Sequence, residues 1–126
     1  MSCFRVVLSS VSRSNDRTRA RTNLTVRGAE GGGARLVMRK ADYTDEALYE
    51  HSEGRHGFLI MEGTDVAVSD IEVAETGGDG VYIGGGYTTP STNVELTRVT
   101  TRNAYRNGLS ITSARDVVVS GCRFVR

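Results

Sequence analysis

Three polar residues stand at matching places in the chain: His56 before Gly57, Asp79 before Gly80 and Asn107 before Gly108. One position upstream are Arg55, Gly78 and Arg106, and two positions beyond each glycine are Leu59, Tyr82 and Ser110. A carboxylate beside an imidazole favours the charged ring, and such a pair is equipped for proton transfer. Guanidinium groups nearby hold carboxylate or sulfate oxygens through paired hydrogen bonds. Tyrosine adds a broad apolar ring face. Asp79 and His56 are therefore the candidate catalytic residues, with Arg55, Tyr82, Tyr105, Arg106 and Asn107 as candidate substrate-binding residues. An architectural reading stays open beside this one. Short polar side chains at chain corners bond turn amides, and Asp79 between Gly78 and Gly80 is what a tight turn favours.

For these residues to meet, distant segments must be stacked, and the chain repeats in a way that stacks them. The windows Gly57-Phe58-Leu59-Ile60, Gly80-Val81-Tyr82-Ile83 and Gly108-Leu109-Ser110-Ile111 align. Each is followed by a second apolar run (Asp65 to Val68, Asn93 to Leu96, Asp116 to Val119) and a third (Ile71 to Val73, Val99 to Thr101, Cys122 to Phe124). Ile60 to Ile83 is 23 residues and Ile83 to Ile111 is 28, whereas Val66 to Val94 is 28 and Val94 to Val117 is 23. Five extra residues between Ile83 and Asn93 account for both. Alternating apolar positions within each run are a strand pattern. A period of about 23 with three short strands predicts a coil that turns three corners and stacks on the next one, with parallel pairing at about 4.8 Å.

Phe58, Ile60, Val66, Val68, Ile71 and Val73 should point inward in one rung, with Val81, Ile83, Val94, Leu96 and Val99 beneath them. Asp65, Asn93 and Asp116 open the second run each time, and we read them as corner residues that tolerate a left-handed backbone. A weaker earlier coil contributes Leu24 and Val26, then Arg35 to Met38 after a glycine-rich excursion. The connection from Arg39 to His56 is unusually long. Thr44 is expected to cap a short helical turn over Asp45 to Tyr49, with Gly54 stopping it.

Composition narrows the function classes. Sixteen Lys and Arg against fifteen Asp and Glu leave a net charge of +1, with no global pull toward nucleic acid or an anionic membrane. Glycine supplies 15 of 126 residues, against roughly 7% on average, and proline one, which implies many tight turns. No run approaches the roughly 18 apolar residues of a membrane span, and Met1 to Val11 lacks an apolar signal core. Cys3 and Cys122 do not make a disulfide framework. Gly31 to Gly33 and Gly84 to Gly86 lead into strand-like runs, whereas a phosphate cradle needs a helix start. His51 and His56 lack further ligands at metal spacing. No cofactor, metal, nucleic-acid partner or membrane partner is therefore expected. Residues 1–22, rich in Ser and Arg, fit the repeat least and are read as an irregular or partial-coil N-terminal segment.

The windows Gly-Gly-Asp-Gly-Val-Tyr-Ile (77–83), Asn-Val-Glu-Leu (93–96), Tyr-Arg-Asn-Gly-Leu-Ser-Ile (105–111) and Asp-Val-Val-Val-Ser-Gly-Cys-Arg-Phe (116–124) resemble right-handed parallel β-helix repeat proteins, the pectate-lyase-like superfamily. The resemblance spans residues 23–126. It implies an all-β, right-handed parallel β-helix of three to four coils, with a short helical turn in the 39–56 connection. Members usually have more coils, so it also implies a segment truncated at its C-terminus, with self-association through an uncapped end. The superfamily holds lyases, hydrolases, epimerases, esterases, tailspikes and noncatalytic adhesins. What it implies here is polysaccharide binding or cleavage along the outward polar face, in a secreted or cell-surface setting; the alternative is a noncatalytic structural or adhesive solenoid. Arg55-His56-Gly57-Phe58 and Gly78-Asp79-Gly80-Val81 resemble the Gly-His-Gly and Asn-Thr-Asp elements of polygalacturonase-like hydrolases. The His element comes first here, however, and no Asp-Asp pair or Arg-Ile-Lys is present. Glycoside hydrolysis needs two carboxylates. Glu50, Glu53, Glu75 or a residue in further coils would have to join Asp79. A lyase would need clustered carboxylates for calcium, and none stands near the strip.

Overall fold

The structure is a computed structural model that describes residues 22–29 and 32–126. The expectations for residues 1–21 lie outside the described residues. The alternating apolar runs form β1 (Thr22–Arg27), β2 (Arg35–Val37), β3 (Phe58–Met61), β4 (Thr64–Ala74), β5 (Val81–Gly84), β6 (Ser91–Arg102), β7 (Leu109–Ile111), β8 (Ala114–Ser120) and β9 (Arg123–Val125), with one short helix, α1 (Lys40–Tyr43). The described residues are mostly strand, as in an all-β fold, and every pairing between these strands is parallel. β3, β5 and β7 make one sheet. The other runs β1-β4-β6-β8, with β2 on the second half of β4 and β9 on the second half of β6.

The 23- and 28-residue intervals are the pairing registers. Ile60 lies opposite Ile83 and Ile83 opposite Ile111. Val66, Val94 and Val117 align in the second sheet, as do Val68, Leu96 and Val119. The earlier coil pairs as its pattern implied, Leu24 with Val66 and Leu36 with Val73. Parallel strands need a long crossover, and here each crossover carries the chain through the other sheet before it returns. Phe58, Ile60, Val66, Val68, Val73, Val81, Ile83, Val94, Leu96 and Val99 are buried as one cluster, while Ile71 is partly buried against it. Removing these side chains from water, worth roughly 25 cal/mol per Å² of apolar surface, is the main favourable term holding the rungs together. The aligned residues Ile111, Val119 and Phe124 are 47%, 40% and 42% exposed, so the cluster thins towards β7, β8 and β9.

Corners recur with the same period. Asn23, Asp65, Asn93 and Asp116 all have φ between 54° and 58°, as expected of corner residues in the left-handed region. A second column holds Asp70, Arg98 and Gly121 at 57°, 50° and 63°, and a third holds Glu75 and Asn103 at 56° and 51°. Arginine is a poor choice for this conformation. Its guanidinium forms a two-point ion pair with Asp70 one rung away, and those hydrogen bonds hold the Asp70 carboxyl below the usual carboxylate range.

Two expectations need correction. The second and third runs of a rung are not separate strands in the two central rungs, because one left-handed residue, Asp70 or Arg98, turns the chain while pairing continues on either side of it. The two runs are separate strands in the outer repeats, as β1 and β2 and as β8 and β9, the latter pair divided at Gly121. The cap of the expected turn also differs: Asp45 to Tyr49 does close one helical turn, with the Tyr49 amide donating to Asp45 O at 3.0 Å, but it is preceded by α1 at Lys40–Tyr43. Thr44 is its C-cap, with its hydroxyl donating to Lys40 O at 2.9 Å, and Asp45 Oδ1 instead accepts the Ala47 amide of the following turn.

The repeated glycine before each first strand is set by close approach. A Cβ on Gly80 would sit 2.7 Å from both the Gly108 carbonyl oxygen and Thr101 Cβ, and one on Gly108 would sit 2.7 Å from Phe124 Cβ. Gly80→Ala should therefore cost about 1–3 kcal/mol by overpacking. Gly54→Ala, whose Cβ would meet nothing nearer than 3.7 Å, should stay within about 0.5 kcal/mol of the parent. Thr101 is fully buried with no partner for its hydroxyl, so Thr101→Val should stabilise by about 1 kcal/mol. Urea melts of the three variants check all of this.

Candidate functional site

The residue before each repeated glycine enters a ladder of side-chain-to-backbone bonds. His56 Nδ1 accepts the Asp79 amide at 2.9 Å, and Asp79 Oδ1 accepts the Asn107 amide at 2.9 Å. Histidine, aspartate and asparagine all carry an acceptor at the δ position, at the same reach from the backbone. The His56 and Asp79 side chains therefore each secure the equivalent residue of the next repeat. Asn107 donates its own Nδ2 to Ser110 Oγ at 3.2 Å.

This geometry bears on the role expected of Asp79. Its side chain is 0% exposed and caps an amide, so it is not placed to touch a substrate as acid or base. Oδ2 has no hydrogen-bond partner and lies 3.6 Å from His56 Nδ1. Because Nδ1 already accepts an N–H, the neutral ring carries its proton on Nε2, and this contact sets two lone pairs face to face. Burial holds the His56 pKa below the ordinary histidine value; the Asp79 charge pulls it up and the Arg106 charge pushes it down.

Tyr82 stacks on His56 with ring centres 4.8 Å apart and planes 22° from parallel, and Thr112 Oγ1 donates to its hydroxyl at 3.0 Å. Leu59, Tyr82 and Ser110 form one register column on the outer face of the β3-β5-β7 sheet. Beside them the 39–56 connection folds over the corner and encloses a cavity of about 200 Å³ lined by Met38, Tyr43, Tyr49, Arg55, His56 and Leu59. The Arg55 guanidinium lies 5.4 Å from the centre of the Tyr43 ring and 5.3 Å from that of Tyr49, within cation–π range, and donates to Glu50 O at 3.1 Å. Tyr43 and Tyr49 meet edge to face at 5.1 Å. Lys40 Nζ, donating to Asn103 Oδ1 at 2.7 Å, ties the other end of the connection to the third rung.

The structure thus brings Arg55, His56, Asp79 and Tyr82 together. Arg106 approaches Glu53 at 3.7 Å, and Tyr105, 37% exposed, donates its amide to Thr76 O, so both belong to the next turn of the same strip. Arg55 packs against both rings, while its buried Nη1 has no hydrogen-bond partner. Tyr43, Tyr49 and Lys40 escaped sequence reasoning because the connection stands outside the repeat. The one signal was the six-residue interval from Tyr43 to Tyr49 to Arg55. Comparison of the chain with protein-family models, curated proteins and solved structures finds no match.

Asp79→Ala should cost about 1–3 kcal/mol, since the Asn107 amide loses its acceptor, whereas Asp79→Asn retains Oδ1 and should cost less. Thermal melts of the two variants side by side check the ladder.

Proposed function

We propose that the chain is part of a right-handed parallel β-helix of the pectate-lyase-like kind, and that it binds polysaccharide on the outer face of the β3-β5-β7 sheet. The parallel registers and the three columns of left-handed corners support the solenoid. One observation carries the binding reading: the cavity beside the 39–56 connection, lined by Tyr43, Tyr49 and His56, the last of which also stacks on Tyr82. Such ring faces suit the apolar faces of sugars, and flanking polar groups fix their orientation. Binding without cleavage fits better than hydrolysis, because the acid nominated for proton transfer, Asp79, is sealed beneath His56.

A purely structural solenoid is the second reading, favoured by the ladder in which the His56 and Asp79 side chains are engaged with backbone amides. Titration calorimetry against neutral and uronate-containing polysaccharides separates the two. Binding to at least one polymer is expected, with no chain cleavage. Tyr82→Ala and Tyr49→Ala should each weaken it about tenfold while the protein still melts cooperatively. A silent panel would leave the structural reading standing, and full affinity in both folded variants would take the binding away from this face.

A further inference from the structure

Asp79 presents both a donor and an acceptor to a single ring nitrogen. Its amide donates to His56 Nδ1 at 2.9 Å, while its own Oδ2, buried and unpartnered, waits 3.6 Å from the same atom. The charge on the ring decides which of the two bonds exists. A neutral ring takes the amide, because Nδ1 offers a lone pair. A ring carrying a proton on Nδ1 cannot accept and must donate, and Oδ2 is the acceptor within reach of a small rotation.

We propose that His56 is a proton-operated latch between two rungs: neutral, it holds the Asp79 amide; protonated from solvent, it lets that amide go and grips the Asp79 carboxylate instead. The surrounding charges permit such a device. Asp79, on the turn before β5, favours the cation, while Arg106, on the turn before β7, opposes it. Glu53, 3.7 Å from Arg106, partly offsets that guanidinium. Arg55, the chain neighbour, is directed into Tyr43 and Tyr49, and Tyr82 covers one face of the ring. Burial is the largest influence on His56 and holds its pKa below the ordinary value of 6.5. The folded value is therefore the lower one, so the latch adds its full stability above the unfolded value and loses it as pH falls through the folded value. Because the His56 ring lines the cavity, release also changes the cavity wall. Any effect on glycan affinity rests on the binding reading above, but the latch itself does not.

Nitrogen-15 NMR of the full chain between about pH 8 and pH 5 tests it. At the alkaline end the His56 ring should be the Nε2–H tautomer. On acidification the Asp79 amide resonance should move with the ring nitrogens through one midpoint, and its exchange with solvent, corrected for intrinsic pH dependence, should speed up at least about tenfold. His56→Asn, which puts Oδ1 where Nδ1 was, should keep the amide protected and remove the titration. Asp79→Asn should lower the His56 midpoint, since the carboxylate no longer favours the cation. An Nδ1–H ring at the alkaline end, an Asp79 amide indifferent to the ring, or an amide titration that survives His56→Asn would overturn the proposal, and the wild-type spectra decide if a variant does not fold. Calorimetry with the polysaccharide panel, run in parallel, keeps the two claims apart. Absent binding removes the glycan reading and leaves the latch intact, and a failed latch leaves measured binding intact.

Discussion

Parallel pairing at one strand spacing is the constraint from which the rest of the structure follows. Once Ile60, Ile83 and Ile111 align in one sheet, and Val66, Val94 and Val117 in the other, every corner between them must be solved afresh in each rung within the same small space. The chain repeats one solution per corner. A residue with positive φ turns the backbone at three of them, and a glycine without room for a Cβ lets the start of each first strand lie close against the third run that follows it. The apolar column supplies the favourable free energy, and the corners give it a unique register.

Backbone groups at such corners cannot all be satisfied by strand pairing, and a buried amide left unpaired is costly. The ladder from His56 through Asp79 to Asn107 answers that need with δ-position acceptors. Ser91 does similar service inside the second sheet: its buried hydroxyl donates to Gly84 O at 2.6 Å and accepts the Gly63 amide at 3.2 Å. On the outer face, Glu72 is bridged by Arg35 and Arg102, so ion pairs also span neighbouring rungs. These polar side chains join segments that are distant in sequence and adjacent in space.

This division explains what could be read beforehand. Strand identity, register and the corner role of Asp65, Asn93 and Asp116 were legible because all of them recur with the period. The depth of Asp79 was not, since a polar residue flanked by glycines reads the same whether its side chain faces solvent or folds back onto an amide. Continuity through Asp70 and Arg98 was hidden for a related reason: neither residue announces a left-handed turn as glycine would. The aromatic packing of Tyr43, Tyr49 and Arg55 belongs to a connection that occurs once. A period finds only what is repeated.

The excursion between β5 and β6 shows what this arrangement permits. Ser91 clips its base, Thr89 Oγ1 donates to Glu62 Oε1 at 2.7 Å, and Tyr87 at its tip stands wholly in solvent. The strands on either side keep their partners, with Ile83 still opposite Ile111 and Thr92 opposite Arg115. Length added at this port is absorbed without disturbing its neighbours, so the corner can accept grafted segments of other sizes and chemistries while the framework beneath stays the same.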